Sequence, residues 1–305
     1  MKDNVNCNLC GSPEYSVLYE TRLGDGVSDE KEYRITDHAA GMPVRIVRCG
    51  QCGLIYANPR PSLRDLISSY TNMVDNEYVE EEEGRRLSAR PILEQLKKMG
   101  RHGHILDFGC ATGFLLDEAR KAGWEVYGIE LSAWAVEYAK NKFGIDTIFH
   151  GVLKNADYPD RYFDAVVMKD SIEHLPDPKD TLVEIRRILK PDGVLCINTP
   201  NIDSFISKAL SARWWGVKQS HLYYFSRRTL YAMLRAAGFE PVKTKSHVRV
   251  FTMKYWISRL RGYSDKLLKV FTFLVKYGIM RDGLIRVDMK DQIDVYAVPA
   301  GGQNL

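Results

Sequence analysis

The chain has 305 residues, 45% apolar and 27% charged, the balance of a folded protein of roughly two domains and not of a fibrous or disordered chain. Its formal net charge of +4 is too small to imply a nucleic-acid partner, and no apolar run approaches the roughly 18 residues a membrane span needs. Met1 leads into polar residues and cysteine with no apolar signal core, so a cytoplasmic location is the expectation.

Residues 1–60 are rich in turn residues and short β-like runs, with no helical periodicity long enough to build a core. So small a unit needs a staple. Two Cys-x-x-Cys pairs supply one: Cys7 with Cys10, and Cys49 with Cys52, separated by 38 residues. Without a signal peptide, this spacing fits a tetrahedral four-thiolate zinc site better than two disulfides, with an iron–sulfur centre or redox pair as the alternatives. Four thiolates close the coordination sphere, so the metal is expected to be structural. Gly11 and Gly53 follow the pairs, as tight knuckles require.

Residues 61–100 read as a helical linker or lid. Ser62 can cap a helix in which Leu63, Leu66, Ile67 and Tyr70 recur at helical spacing, and a second helix spans about 88–99 before Gly100. The acidic run Glu80 to Glu83 reads as a solvated loop or helix end. From 101 to 305 strands and helices alternate. Strands are expected near 104–108, 124–130, 146–149, 163–168, 194–198 and 292–298, with an extended stretch over 239–250. Helices are expected over 113–121, 132–143, 180–189 and 226–238, the third closed by Lys190-Pro191-Asp192-Gly193. Such alternation, with apolar strand runs, indicates a mostly parallel sheet covered by helices on both faces.

The most informative segment is Leu106-Asp107-Phe108-Gly109-Cys110-Ala111-Thr112-Gly113, between a strand and a helix. Its glycines let the backbone approach a ligand at the carboxyl edge of the sheet. It does not match the dinucleotide fingerprint, because Ala111 and Phe114 replace glycines, and no Gly-Lys-Ser/Thr follows as in a P-loop. The next strand ends in Glu130, whose carboxylate can accept two hydrogen bonds from a ribose diol.

Asp107-x-Gly109-x-Ala111-x-Gly113 with Glu130 resembles the first motif and ribose-binding acid of the class I S-adenosylmethionine-dependent methyltransferases. The resemblance runs on through Phe163-Asp164-Ala165-Val166-Val167, Asp170-Ser171-Ile172-Glu173-His174-Leu175-Pro176-Asp177-Pro178 and Leu189-Lys190-Pro191-Asp192-Gly193, and covers about residues 85–250. It implies a Rossmann-like, doubly wound seven-stranded sheet with S-adenosylmethionine as methyl donor. The donor's amino-acid end would lie over the Gly109–Gly113 loop, with Cys110 and Ala111 in that loop and Asp107 ordering it. Glu130 would take the ribose, and Leu131, Val152 and Leu153 would sandwich the adenine. Asp170 would lie near the methionine moiety. The cysteine segment with Cys52-Gly53-Leu54-Ile55-Tyr56-Ala57-Asn58-Pro59-Arg60-Pro61 resembles the zinc-binding segment, a zinc-ribbon-like module, of certain bacterial enzymes that include deoxysugar C-methyltransferases. That likeness implies a small-molecule acceptor, with a sugar or nucleotide-linked sugar among the candidates, methylated on oxygen, nitrogen or carbon. A non-catalytic sensor of the donor is the alternative from another class; a nicotinamide-dependent oxidoreductase and an RNA methyltransferase rank lower.

An acceptor hydroxyl or carbon acid must lose a proton, and histidine suits that task. His174 and His221 fall on loops after sheet strands and are the candidate catalytic residues. Trp214, Trp215, Tyr223 and Tyr224 are candidates for an aromatic acceptor wall, whereas His38, His102, His104, His150 and His247 show no partner spacing and read as structural or exposed. Residues 245–286 carry ten Lys/Arg against Asp265 and Asp282. Within 251–287, apolar residues at roughly helical spacing point to a helical insertion before the last strand. It could serve as a cover on the site, as a dimer contact or as a peripheral contact with an anionic membrane.

Overall fold

Seven strands build the central sheet: β1 (His104–Phe108), β2 (Glu125–Glu130), β3 (Ile148–His150), β4 (Phe163–Lys169), β5 (Leu189–Pro200), β6 (Phe239–Ser246) and β7 (Gln292–Pro299). Their order is β6-β7-β5-β4-β1-β2-β3. The pairs β5–β4, β4–β1, β1–β2 and β2–β3 are parallel, and β7 runs antiparallel to both β5 and β6. This computed structural model describes residues 2–20, 45–259, 265–277 and 283–301.

The strands alternate their side chains between two cores, as a period of two requires. Leu106, Val166, Met168, Leu195 and Ile197 pack with Leu182, Ile185, Leu230 and Met233 on one face. Ile105, Ala165, Val167, Val194 and Cys196 pack with Ile92, Leu96, Leu115 and Leu116 on the other. Both faces are therefore covered, and the chain's polar loops collect along the sheet's carboxyl edge.

Three sequence expectations shift. β5 runs unbroken from Leu189 through Lys190-Pro191-Asp192-Gly193, where a turn was expected, and absorbs the irregularity as a register shift between Leu189 and Val194. The helix Glu82–Lys98 begins earlier than its apolar spacing suggests and carries Pro91. The acidic run falls at the junction of the helices Asn76–Glu80 and Glu82–Lys98, with Glu80 and Glu83 exposed as expected, but Glu81 is buried and accepts hydrogen bonds from Thr252 N (2.9 Å) and Thr252 Oγ1 (2.6 Å). Gly84 lets this helix lie on the strand Arg249–Thr252, since a Cβ there would stand 2.3 Å from Val250 O.

The stretch after β6 is also not continuous. It breaks at His247 and resumes as Arg249–Thr252, which pairs antiparallel with Leu284–Val287. Between those two strands lie the helices Met253–Ser258 and Asp265–Lys276. No helix among the described residues is long and apolar enough to cross a membrane.

The cysteine-bearing segment forms a second, antiparallel sheet ordered Tyr223–Tyr224, Ile55–Ala57, Ile46–Cys49, Tyr15–Tyr19. One of its four strands thus comes from far along the chain. Cys7, Val47, Leu54 and Tyr56 share a single core with Phe225 and Leu230. Asn8 fastens the segment further, donating to Asp177 Oδ1 (2.8 Å) and accepting from Lys179 N (3.0 Å).

Candidate active site

At the carboxyl end of β1 the chain turns through three residues of positive φ: Gly109 (+73°), Ala111 (+46°) and Gly113 (+78°). The N–H groups of Gly109 and Cys110 both donate to Ile129 O, at 2.8 and 3.1 Å, which pins the loop to β2. A Cβ on Gly109 would press on Ser171 at 3.3 Å, so glycine here suits both the left-handed backbone and the close neighbour. Cys110 is buried behind the loop, against the bare Cα of Gly128.

Glu130 closes the other side. Its Oε2 accepts from Ala111 N (2.8 Å), and its Oε1 accepts from Leu131 N (2.7 Å) and Ser132 N (2.8 Å). Burial raises its pKa in spite of these donors. Three bonds occupy most of the roughly four lone-pair positions of a carboxylate, so fewer remain for a ribose than the sequence alone suggests. Asp107 is buried beneath the loop, and burial pushes its carboxyl up to about 7, with Lys169 opposing and Glu130 adding. Burial also works against ionisation of Asp170, yet Lys169 Nζ at 2.7 Å holds it well below the usual carboxylate range.

Asp107, Gly109, Cys110, Ala111, Glu130, Leu131, Val152, Leu153, Asp170, His174 and His221 all line one cavity of about 810 Å³. Gly113 does not line it; it starts the helix Phe114–Lys121, packed against Ala139. The volume lies within the range of ligand sites and leaves room for more than a nucleoside.

The far end of the cavity is histidine-rich. His174 Nδ1 lies 2.8 Å from Ser220 O and 2.8 Å from Tyr70 Oη, and His221 Nδ1 lies 2.8 Å from Gly216 O. The two rings meet edge to face with centroids 4.7 Å apart. Burial brings His174 down to about 4, and burial followed by His174 itself lowers His221 well below the usual imidazole value. Glu173 sits beside them: donor atoms of Glu173, His174 and His221 lie within 4.8 Å of one another. Its Oε2 accepts from Thr199 Oγ1 (2.9 Å), its Oε1 is buried without a partner, and burial followed by Asp170 pushes it up to about 8.

Two of the four candidate wall aromatics reach the cavity. Trp214 and Trp215 line the cavity, joined by Phe251, Tyr255 and Trp256. Tyr223 and Tyr224 do not; they belong to the cysteine sheet, where Tyr223 Oη accepts from Arg60 Nη1 (2.9 Å). Reading histidines by spacing also missed a buried pair on the sheet edge. His247 Nδ1 lies 3.0 Å from Asp294 Oδ1 and its Nε2 has no partner, while Asp294 accepts from Asn198 Nδ2 at 2.6 Å. Gln292 links Asn198 (2.9 Å) to Asp170. The available signal was Gln292 and Asp294 alternating with Ile293 and Val295, polar residues at the ligand end of a buried strand.

The four cysteines come together as the spacing implies. Cys7 and Cys52 Sγ are 3.4 Å apart, Cys10 and Cys49 Sγ 3.5 Å, and all four sulfurs fall within 4.8 Å. Gly11 N donates to Cys7 O (2.7 Å) and Gly53 N to Cys49 O (3.1 Å), closing the two knuckles. Burial pushes Cys7 up and Cys52 up to about 11; at Cys49 the N–H groups of Cys52 and Gln51 overcome burial and bring the thiol down to about 7. Four thiols this close cannot ionise together without a cation among them, and an all-sulfur tetrahedral set suits zinc.

A family model described as Methyltransferase domain matches residues 79–244. The chain is similar to the ubiquinone biosynthesis O-methyltransferase of Cereibacter sphaeroides, 29% identical over 155 residues, which cover 47% of this chain and 63% of the relative. It is also similar to the mitochondrial ubiquinone biosynthesis O-methyltransferase of Schizosaccharomyces pombe, 31% identical over 116 residues, 36% of this chain and 40% of that one. The match thus spans less than two thirds of either relative. Among solved structures, a chain of the Haloferax volcanii complex between the Trm112 methyltransferase activator and a methyltransferase shares the fold, with a TM-score of 0.51 at 18% identity over 72% of this chain and 92% of that chain.

Proposed function

The chain belongs to the S-adenosylmethionine-dependent methyltransferases, and from that premise we propose that it methylates a small, hydroxyl-bearing ring compound held against its tryptophan wall. The observation that carries this reading is one cavity running from the Gly109–Gly113 loop to the His174–His221 pair. S-adenosylmethionine supplies an electrophilic methyl on a sulfonium whose positive charge is lost in the transfer.

The residues divide the work by position. Backbone of the Gly109–Gly113 loop, with Cys110 and Ala111, bounds the donor's amino-acid end, and Asp107 and Asp170 lie beneath and beside it. Glu130 uses its remaining lone-pair capacity on a ribose hydroxyl, and Leu131, Val152 and Leu153 flank the adenine. At the acceptor end, Nδ1–H of His174 and of His221 is directed to a backbone carbonyl, which leaves each Nε2 lone pair for the acceptor hydroxyl. His221, with His174 beside it, orients that oxygen and takes its proton as methyl transfer makes the oxygen cationic, a stage at which a base of lowered pKa suffices. Holding oxygen and methyl carbon aligned supplies much of the acceleration in such a displacement. The four cysteines hold a structural zinc away from the chemistry.

The acceptor is an intermediate of ubiquinone biosynthesis if the similar O-methyltransferases are the guide, and a sugar or nucleotide-linked sugar if the cysteine segment is. Calorimetry with S-adenosylmethionine and S-adenosylhomocysteine, followed by turnover on a panel holding both acceptor classes, tests the reading. Binding of both nucleosides and methylation of one class are expected. Failure of either nucleoside to bind overturns it, and binding without turnover on the whole panel favours a sensor of the donor.

A further inference from the structure

The helix Asp265–Lys276 presents an outward face that nothing in the proposed reaction uses. Lys266, Lys269, Val270, Phe273, Lys276 and Tyr277 are all exposed, the three large apolar ones at 53%, 54% and 62%. At 3.6 residues per turn these six positions fall within an arc of about 120°. Phe271, Leu274 and Val275 lie outside that arc and are half-buried. The three lysines make no ion pair among the described residues; Lys276 Nζ lies 5.8 Å from the Tyr277 ring. Among the described side chains, this face therefore combines cations with large apolar groups and holds no carboxylate; the position of Asp265 falls about 20° outside the arc.

The occupant follows from that pairing. A second copy meeting this face across a two-fold axis would set lysines against lysines. A nucleic-acid backbone would answer the charge but leave Val270, Phe273 and Tyr277 in water. An anionic bilayer satisfies both: the apolar groups enter the boundary of the acyl chains, and the lysine stems lie along it with their ammonium groups at the phosphates. The position suits a surface contact, because the helix packs on Met253–Ser258, whose Tyr255 and Trp256 line the cavity. We propose that the outward face of Asp265–Lys276 is a docking surface for an anionic lipid bilayer, lying flat in the interface beside the cavity.

Flotation of the full chain with vesicles of phosphatidylcholine, with and without phosphatidylglycerol, tests this. The chain is expected to float only with the phosphatidylglycerol vesicles, and to be released by salt. Replacing Lys266, Lys269 and Lys276 together by Gln should lower partitioning by about a hundredfold, roughly fivefold for each charge removed. Val270→Ser with Phe273→Ser should lower it independently. Calorimetry with S-adenosylhomocysteine monitors the fold of both variants and separates a failure here from a failure of the proposed reaction. No flotation of the unaltered chain, or flotation unchanged in both variants, overturns the proposal. So does a dimer in solution without lipid that Phe273→Ser dissociates, since that makes a second copy the occupant.

Discussion

Glu130 ties Ala111, Leu131 and Ser132 into place, and in the proposed reaction the same carboxylate also meets a ribose. Glu130→Ala should therefore weaken S-adenosylhomocysteine binding by about 1.5–3 kcal/mol, the range for hydrogen bonds to charged groups, measured by calorimetry. An unchanged dissociation constant places the ribose elsewhere. Glu173 carries a different prediction. Its carboxyl, raised from 4.5 to about 8, keeps its proton in the folded chain over a range where the unfolded chain has released it. The stability tied to that proton is complete below the ordinary glutamate range and is lost as pH rises through about 8. Glu173→Gln keeps an acceptor for Thr199 Oγ1 and takes up no proton. The melting temperature of the variant relative to the unaltered chain should rise across this window and level off above it. The opposite drift from His174, lowered toward 4, is common to both proteins and drops out of the comparison.

Elements were legible wherever local pattern and tertiary demand agreed. β1, the Gly109–Gly113 turn and β2 with its terminal Glu130 could be read because apolar runs and glycines mark them directly. β5 could not, because Pro191 and Gly193 look like a terminator and only the neighbouring strand shows that Leu189 already pairs, with Phe163. Glu81 looked solvated because its partner, Thr252, is 171 residues away. His247 went unread for the same reason, its Asp294 lying 47 positions on. The cysteine knuckles are the reverse case, with spacing and geometry in agreement. Cys49→Ser breaks the four-sulfur set and should release bound zinc, measured by metal analysis, and lower Tm by about 5 °C or more, the shift a few kcal/mol produces in a chain of this size. Retained zinc at full stoichiometry would show that Cys49 is not a ligand.

At the scale of the whole molecule, the cysteine sheet and the methyltransferase sheet are not independent bodies. Tyr223–Tyr224 completes the former while Phe225 packs in the core of the latter. Deleting residues 1–60 would strip the partner strand from Tyr223 and Tyr224 and bare a row of unpaired backbone groups beside apolar surface. The shortened chain is expected to bind a hydrophobic dye and to aggregate on gel filtration; a monodisperse, dye-silent product would show that the large domain stands alone.

Leu222 draws these threads to one place. Its N–H donates to Glu173 O at 2.8 Å and its carbonyl accepts from Ala57 N at 2.9 Å, so a single residue bolts the cysteine-bearing sheet to the histidine end of the cavity. The residue next to His174 is thereby anchored through backbone atoms alone, whatever side chain stands at 222. The cavity's lining also draws on two short helices outside both sheets: Leu63–Thr71, whose Tyr70 Oη lies 2.8 Å from His174 Nδ1, and Met253–Ser258, through Tyr255 and Trp256.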